Sequence, residues 1–487
     1  MRESEIKLSM SSRKGGHVPP FFCVEPKKGK EKPMVHTFQC LGVNIAVDVY
    51  SGAVHILDKT AYDVLNLLED GVPDGACPQW VFDRLEGCGR EAVQTAWLEL
   101  RELQDKGLLF TDDSYLDPEA AVLMQKDAPV KALCLHVSHD CNLRCQYCFA
   151  STGDFGTGKR MTMDIDTAKK AIDFVIRRSG NRCNIEVDFF GGEPLMAMDT
   201  VKATVEYARS LEKEHNKSFR FTITTNGVLL NDENIAYINE EMSNAVLSLD
   251  GRPEVNDCMR KTVAGTGSYD VILPKFQKLV AGRGEKDYYL RGTFTRYNRD
   301  FAADVLHIAN QGFRHVSVEP VVGGPDCSYT LREEDLPTIL EEYERLAEEL
   351  LKRDDVNFFH FNVDLSQGPC VIKRLRGCGA GCEYVAVTPD GDIYPCHQFV
   401  GNEDYLMGNV WDGSFDMELS RKFAGLNIYS RPACQDCWAK FYCSGGCSAS
   451  NLLVNGDIKI PNEFGCQMQR KRLECAIAMK ACMQKDE

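Results

Sequence analysis

Cysteines gather in tight groups along this chain, and that grouping narrows its possible folds sharply. Cys141, Cys145 and Cys148 form C-x3-C-x2-C, and Cys434, Cys437, Cys443 and Cys447 form C-x2-C-x5-C-x3-C. Cys378, Cys382 and Cys396 lie upstream of the second group and Cys466 lies beyond it. With 22 cysteines in 487 residues the second pattern would arise by chance only about 0.002 times, so it needs a chemical reason. Disulfide frameworks and metal–thiolate sites both use cysteine this heavily. Disulfide scaffolds are mostly small, secreted and signal-bearing. This chain is long, and its N-terminus has no apolar core of the signal type. Metal ligation is the expected use.

The length implies two or three domains. No apolar run reaches the roughly 18 residues of a membrane-spanning helix, so no membrane role is expected and the cytoplasm is the expected compartment. Net charge is 56 − 72 = −16, which argues against a protein that grips nucleic-acid phosphates.

Residues 1–33 are basic and rich in Gly and Pro, which predicts a disordered extension, with Met34 an alternative start. Folded character is expected from Phe38. Val43, Ile45, Val47 and Val49 alternate with polar or small residues, Ser51-Gly52 turns, and Val54–Leu57 returns as a partner strand. Asp58 caps a helix carrying Ala61, Leu65 and Leu68 and closing at Gly71; a second helix presents Val93, Trp97, Leu100 and Leu103. With a final strand at Leu108–Phe110, residues 34–110 read as a winged-helix-like module whose strand edge suits an extended peptide. A linker is expected over 111–130.

Strands are predicted at 132–138, 184–190, 219–225, 245–249, 288–295 and 314–319, with helices between them such as Ile165–Arg178 and Thr200–Glu214. Six βα units make 131–330 a parallel sheet, open or curled into a partial barrel, with its active site at the C-terminal strand ends. Residues 331–369 form a bridging region whose acidic helix, at about 330–353, is expected to lead away from the barrel. Residues 370–487 read as a loop-rich domain stapled by metal, ending in a helix.

Cys141, Cys145 and Cys148 follow the first barrel strand directly. Three thiolates suit a [4Fe–4S] cluster whose fourth iron stays open for a ligand. A structural zinc site wants four ligands, and His139 would have to be the fourth. Gly191-Gly192-Glu193-Pro194 ends the second strand, where glycine permits close approach and a carboxylate can meet an ammonium group. Thr224-Thr225-Asn226-Gly227 and Ser248-Leu249-Asp250-Gly251 are further polar strand ends.

Across about 131–320 these residues resemble the radical S-adenosylmethionine (SAM) superfamily. The resemblance implies that Cys141, Cys145 and Cys148 hold the catalytic cluster and that Tyr147 lies against the adenine. Gly192 and Glu193 would face the methionine amino group, Ser248 the ribose, and Arg260 the SAM carboxylate. The C-terminal cysteines look like the seven-cysteine auxiliary-cluster domain called SPASM. That family implies one cluster on Cys378, Cys382, Cys396 and Cys447, and another on Cys434, Cys437, Cys443 and Cys466, making three [4Fe–4S] clusters in all. Whether Cys378 and Cys382 both ligate stays open. Cys77, Cys183 and Cys258 read as small buried hydrophobes. Cys327 and Cys370 are candidates for touching substrate.

From Met34 onward the chain resembles the maturases of SCIFF peptides, small cysteine-rich ribosomal peptides, with much of the likeness in residues 36–65. Such enzymes join a cysteine sulfur to the α-carbon of another residue in a thioether, acting on a leader-bearing precursor peptide. A low-potential donor such as flavodoxin or ferredoxin would supply electrons. The alternative is the anaerobic sulfatase-maturating enzyme, which forms an aldehyde (formylglycine). There an Asp base follows the cysteine matching Cys396, whereas this chain has His397. A non-catalytic, metal-stapled binding protein is the reading from another class, and it would leave the polar strand ends without purpose.

Overall fold

The computed structural model describes residues 32–113, 127–324, 326–365 and 375–485. Nearly all of the expected extension 1–33 and the middle of the 111–130 linker lie outside them, as does Cys370. The chain divides into two compact units, the first containing residues 34–110 and the second containing 127–364 and 375–476.

In the first unit, β1 (Val35–Cys40), β2 (Val43–Asp48) and β3 (Val54–Leu57) form an antiparallel meander in that order. The β2–β3 hairpin is the expected one, but the fold starts earlier than Phe38, because Val35 already pairs with Asp48. Helices α1 (Lys59–Leu65), α2 (Gln79–Arg84) and α3 (Arg90–Asp105) cover the sheet. Asp58 caps α1 by accepting from the Ala61 amide at 2.7 Å. Helix α1 stops at Leu65, well before Gly71. Val64, Val81, Val93, Trp97, Leu100 and Leu109 are buried together as the core of this unit. Leu108–Phe110 forms no strand. Gly107 and Phe110 take φ of +67° and +55°, which turns the backbone, and the segment is held by His55 Nε2 on the Leu108 carbonyl at 2.9 Å.

The second unit is built on one ten-stranded sheet. Its first six strands are β4 (Ala132–Ser138), β5 (Asn184–Gly191), β6 (Ser218–Thr225), β7 (Asn244–Ser248), β8 (Asp287–Phe294) and β9 (His315–Pro320). They match the six expected strands and pair in parallel in sequence order. Helices α4 (Ile165–Arg178), α5 (Met198–His215), α6 (Asp232–Glu241), α7 (Pro253–Met259), α8 (Tyr269–Ala281) and α9 (Phe301–Asn310) complete a partial (β/α)6 barrel. The strand period divides the chemistry. Leu133, Leu135, Ile185, Val187, Phe219, Phe221, Leu247, Leu290 and Val318 are fully buried under helices. The alternate positions Asp188, Thr222, Thr224, Ser248, Arg291 and Glu319 are half-buried or more exposed and line the other face.

One expectation about the C-terminal half needs correction. Helix α10 (Leu336–Leu350) does not lead away from the barrel: its Tyr343 packs on Phe301 of α9, ring centroids 4.8 Å apart. Glu341 and Glu348 face solvent while Leu336, Ile339, Tyr343, Leu346 and Leu350 form a continuous buried stripe. The cysteine-rich region shares the barrel's sheet. Beyond β10 (Asn357–Phe358) on β9, the cysteine-rich region adds β11 (Tyr384–Val387), β12 (Asp392–Tyr394) and β13 (Gly408–Asn409) at the other edge. Strand β11 runs parallel to β4, placing Tyr384 beside Ala132. Phe415 and Phe174 pack with ring centroids 5.6 Å apart, and Arg178 lies 4.4 Å over Phe415. The cysteines then fall among short helices α11 (Met417–Ala424), α12 (Pro432–Gln435), α13 (Lys440–Cys443) and α14 (Ser448–Asn455), before α15 (Glu463–Lys485).

Candidate functional site

The loop after β4 is fixed by backbone hydrogen bonds that leave its thiols free. His139 N donates to Met161 O at 2.7 Å, Arg144 N to Lys261 O at 2.7 Å and Gln146 N to Met259 O at 3.0 Å, while Leu143 is 1% exposed. Every cysteine among the described residues is free of a disulfide. Cys141, Cys145 and Cys148 are half-buried and close enough to act on one another's charge. Burial, with those neighbours adding, pushes Cys141 up to about 11 and Cys145 to about 12. The Leu143 amide and the Asn226 side-chain amide point at Cys141 Sγ from 3.4 and 3.6 Å. Three adjacent thiols with N–H donors at a sulfur fit an iron–sulfur cluster, whose bound sulfurs are anionic. The zinc alternative loses its fourth ligand. His139 Nε2 sits 3.1 Å from His136 Nδ1, its ring lies 4.7 Å from Phe155, and burial lowers it to about 4. Among the described residues no three Cys, His, Asp or Glu side chains converge on a single ion. A cluster anchors each thiolate on a different iron and needs no such convergence.

The Gly-Gly-Glu end of β5 works mainly on the protein itself. Gly192 N donates to Ser138 O at 2.7 Å, and Glu193 N donates to Asp140 O at 2.9 Å. A Cβ on Gly191 would stand 2.2 Å from Ser138 O, and one on Gly192 2.1 Å from Asp140 O. Only glycine lets β5 lie this close to the cysteine loop. The Glu193 carboxylate is 1% exposed and accepts from Leu195 N at 3.0 Å, Thr225 Oγ1 at 2.7 Å and Asn226 N at 2.8 Å. Burial raises it to about 7 against those donors. Of roughly four lone-pair sites on a carboxylate, three are used within the protein.

The sequence marks Asp250 only as part of a polar strand end, and the structure gives it a role of its own. It is 1% exposed and accepts from the Tyr147 hydroxyl at 2.7 Å, Thr293 N at 2.9 Å and Arg260 Nη2 at 3.0 Å. The Arg260 guanidinium lies 5.5 Å over the Tyr147 ring, and its buried Nε has no partner among the described residues. Burial alone would lower Arg260, but the Asp250 carboxylate holds it protonated. Ser248, which ends β7, is half-buried two residues before this knot. The signal for Asp250 was present: a carboxylate just past an apolar strand.

A second polar group lines the sheet further around. Glu319 at the end of β9 pairs with Arg291, and His360 Nε2 lies 3.8 Å from it and 3.1 Å from Ser317 Oγ. Arg472 reaches His360 Nδ1 at 3.1 Å. Partial burial works to raise Glu319, but it is held down at about 2, chiefly by Arg291. His397 joins from the cysteine-rich region, its ring 5.0 Å from Phe190 and 5.3 Å from Phe149, with Nδ1 hydrogen-bonded to the Tyr384 hydroxyl at 3.3 Å. Burial lowers His397 to about 4, so it is neutral at pH 7.

The C-terminal cysteines fall into two groups. Cys396 is pushed up to about 12 by burial and then by Cys447 and Cys378. Cys382 feels Cys378, while its own thiol meets Gly379 O at 3.3 Å. Cys434 is raised to about 11 by burial and Cys443, and Cys466 to about 12 by burial, Cys443 and Cys434. Of the leftover cysteines, Cys77 is buried as expected, but Cys183 and Cys258 are exposed, on the turn before β5 and on α7. Cys327 is half-buried and hydrogen-bonded with Tyr329, which burial, Cys327 and Cys148 raise to about 12.

Comparison with known proteins agrees with this geometry. A family model described as the Radical SAM superfamily matches residues 135–285, and one described as an iron–sulfur cluster-binding domain (SPASM) matches 378–438. The mycofactocin maturase MftC of Mycobacterium ulcerans is 31% identical over 343 residues, 67% of this chain and 85% of that protein. The cysteine-type anaerobic sulfatase-maturating enzyme of Clostridium perfringens is 23% identical over 370 residues, 72% of this chain and 96% of its own. Among solved structures, anSMEcpe with bound AdoMet and the Cp18Cys peptide has TM-score 0.59 at 19% identity, over 74% of this chain and 100% of that one. Streptococcus suis SuiB bound to the precursor peptide SuiA has TM-score 0.50 at 15% identity, over 89% of this chain and 99% of that one. No helix among the described residues is long and apolar enough to cross a membrane. With a cysteine loop at the head of a partial barrel, a SPASM region extending its sheet and a maturase relative at this identity, the chain belongs to the radical SAM/SPASM peptide-maturase family of SAM-dependent radical oxidoreductases.

Proposed function

We propose that this enzyme oxidises a cysteine-containing ribosomal peptide and closes a thioether between the cysteine sulfur and an α-carbon. Bound SAM and the open-iron cluster supply a 5′-deoxyadenosyl radical, the hydrogen-abstracting chemistry that no side chain provides. In this reading Cys141, Cys145 and Cys148 hold that cluster. Asp250, Tyr147 and Arg260 shape the SAM pocket, with Gly192, Glu193 and Ser248 at its rim. Cys378, Cys382, Cys396 and Cys447 hold one auxiliary cluster, and Cys434, Cys437, Cys443 and Cys466 the other. Residues 34–110 take the leader peptide along a strand edge, and a flavodoxin- or ferredoxin-like protein delivers electrons. The observation that carries the choice of product is His397. At the position where the aldehyde-forming enzymes place an Asp base, this chain has an imidazole whose Nδ1 is already engaged by the Tyr384 hydroxyl.

The second reading is aldehyde formation from the same cysteine, as in sulfatase-maturating enzymes, and the comparisons weigh on its side. A relative of that name aligns over 96% of its length, and the anSMEcpe structures superpose better than SuiB does. Product mass separates the two. Thioether closure removes one carbon-bound hydrogen and one thiol proton, so mass falls by about two per crosslink and the sulfur resists alkylation. A hydrazine-reactive product lacking sulfur would overturn the proposal.

A further inference from the structure

Arg431 has no role in the site described so far. It is 3% exposed, yet no carboxylate pairs with it among the described residues. Its Nη1 donates to Gly445 O, its Nη2 to Ser448 Oγ at 3.0 Å, and its Nε has no partner. Its own carbonyl accepts from Cys434 N at 2.9 Å. Gly445 has φ +88°, which favours glycine, and a Cβ there would stand a tight 3.2–3.5 Å from Cδ, Nε and Cζ of Arg431. The side chain therefore spans from the Cys434 segment to the Gly445–Ser448 segment that carries Cys447. Those two cysteines belong to different proposed ligand sets. Burial lowers Arg431, and the thiol groups that work against this are Cys434 and Cys443 from one set and Cys447 and Cys378 from the other.

A buried guanidinium with only a carbonyl and a hydroxyl as partners is costly unless an anion stands nearby. Four thiolates from two clusters supply one. Resting on the ligand sets of the preceding section, we propose that Arg431 is an electrostatic positioning residue shared by both auxiliary clusters, its fixed positive charge raising both reduction potentials together. Reduction adds one electron to each cluster. A cation between them stabilises both reduced forms, and cluster potentials respond to nearby charge in this way.

The test is a potentiometric titration of the anaerobically reconstituted, full-length enzyme, followed by electron paramagnetic resonance. Arg431→Gln should shift both auxiliary potentials negative, each by at least a tenfold change in its reduction equilibrium, about 59 mV for one electron. The SAM-binding cluster should stay put as the internal control. Arg431→Lys, which keeps the charge and loses the fork, should restore most of the shift. An iron-replete Arg431→Gln enzyme with unchanged potentials, or with only one moved, overturns the proposal. If Arg431→Gln sheds auxiliary iron, Arg431→Lys must retain it; a lysine variant that also sheds it overturns the charge assignment. Failure of the ligand sets themselves would show separately, as missing iron in the unmutated protein.

Discussion

Asp250→Asn should be among the most damaging single-atom changes in this protein. Asp250 and Arg260 form a buried pair, with side chains 1% and 10% exposed and 3.0 Å apart. Removing one partner of such a pair leaves an uncompensated buried charge and costs about 3–5 kcal/mol. Asparagine would still accept from the Tyr147 hydroxyl, so the loss falls on Arg260, whose Nε already lacks a partner. Arg260→Met strands Asp250 less completely, because Tyr147 and Thr293 still donate to it, and about 2–3 kcal/mol is expected. The double variant removes both charges and should be far less damaged than the sum, with a coupling of about 2 kcal/mol or more. Anaerobic thermal melts at matched iron content read this out. A kcal/mol is worth about 2–4 °C in a domain of 150–250 residues and less in a larger unit, so Asp250→Asn should melt roughly 5 °C or more below the parent. Single-variant shifts that simply add, within about 0.5 kcal/mol, would refute the buried-pair argument.

Three further outcomes follow from particular residues. Trp97 is fully buried, with its Nε1 3.3 Å from Gly75 O, so Trp97→Ala should destabilise residues 34–110 by about 3–5 kcal/mol and weaken leader binding, measured by calorimetry. Uncoupled SAM cleavage should survive that change. His397→Gln should keep product formation within about tenfold, since the ring is engaged by the Tyr384 hydroxyl and burial makes it a weak base, whereas a loss of about 10²–10⁴ in single-turnover assays would mark it as the base. Asp188 is raised by burial to about 6 from 3.8, so the folded state binds more protons than the unfolded between those values and is destabilised as pH rises through them. Melting temperatures across that range should fall with pH in the parent and lose that component in Asp188→Asn.

The sheet was legible because its strands alternate: Leu133, Leu135 and Val137 or Ile185, Val187 and Phe189 announce a face packed under helices. Helix α4 was read to the residue, since Asp164 caps it through the Thr167 amide and Arg177-Arg178 close it. The cysteine groups were equally plain, because ligand spacing is local. What escaped was long-range. Nothing local in Tyr384–Val387 says that it will pair with β4, 252 residues away at the Lys131–Glu383 ion pair. The partners of Asp250 and the bridging place of Arg431 escaped for the same reason, as they lie on other segments. The Leu108–Phe110 strand was misread because its apolar run outweighed Gly107, whose positive φ redirects the backbone.

The central claim is that eleven cysteines hold three clusters in separate sets, one of them open to SAM. Iron and acid-labile sulfide analysis of the anaerobically reconstituted enzyme tests it directly. The ligand sets predict about twelve irons per chain, and a Cys141/Cys145/Cys148→Ala variant should keep about eight while losing all SAM cleavage. Four irons with stoichiometric zinc in the parent, or a triple variant that still cleaves SAM, would contradict it.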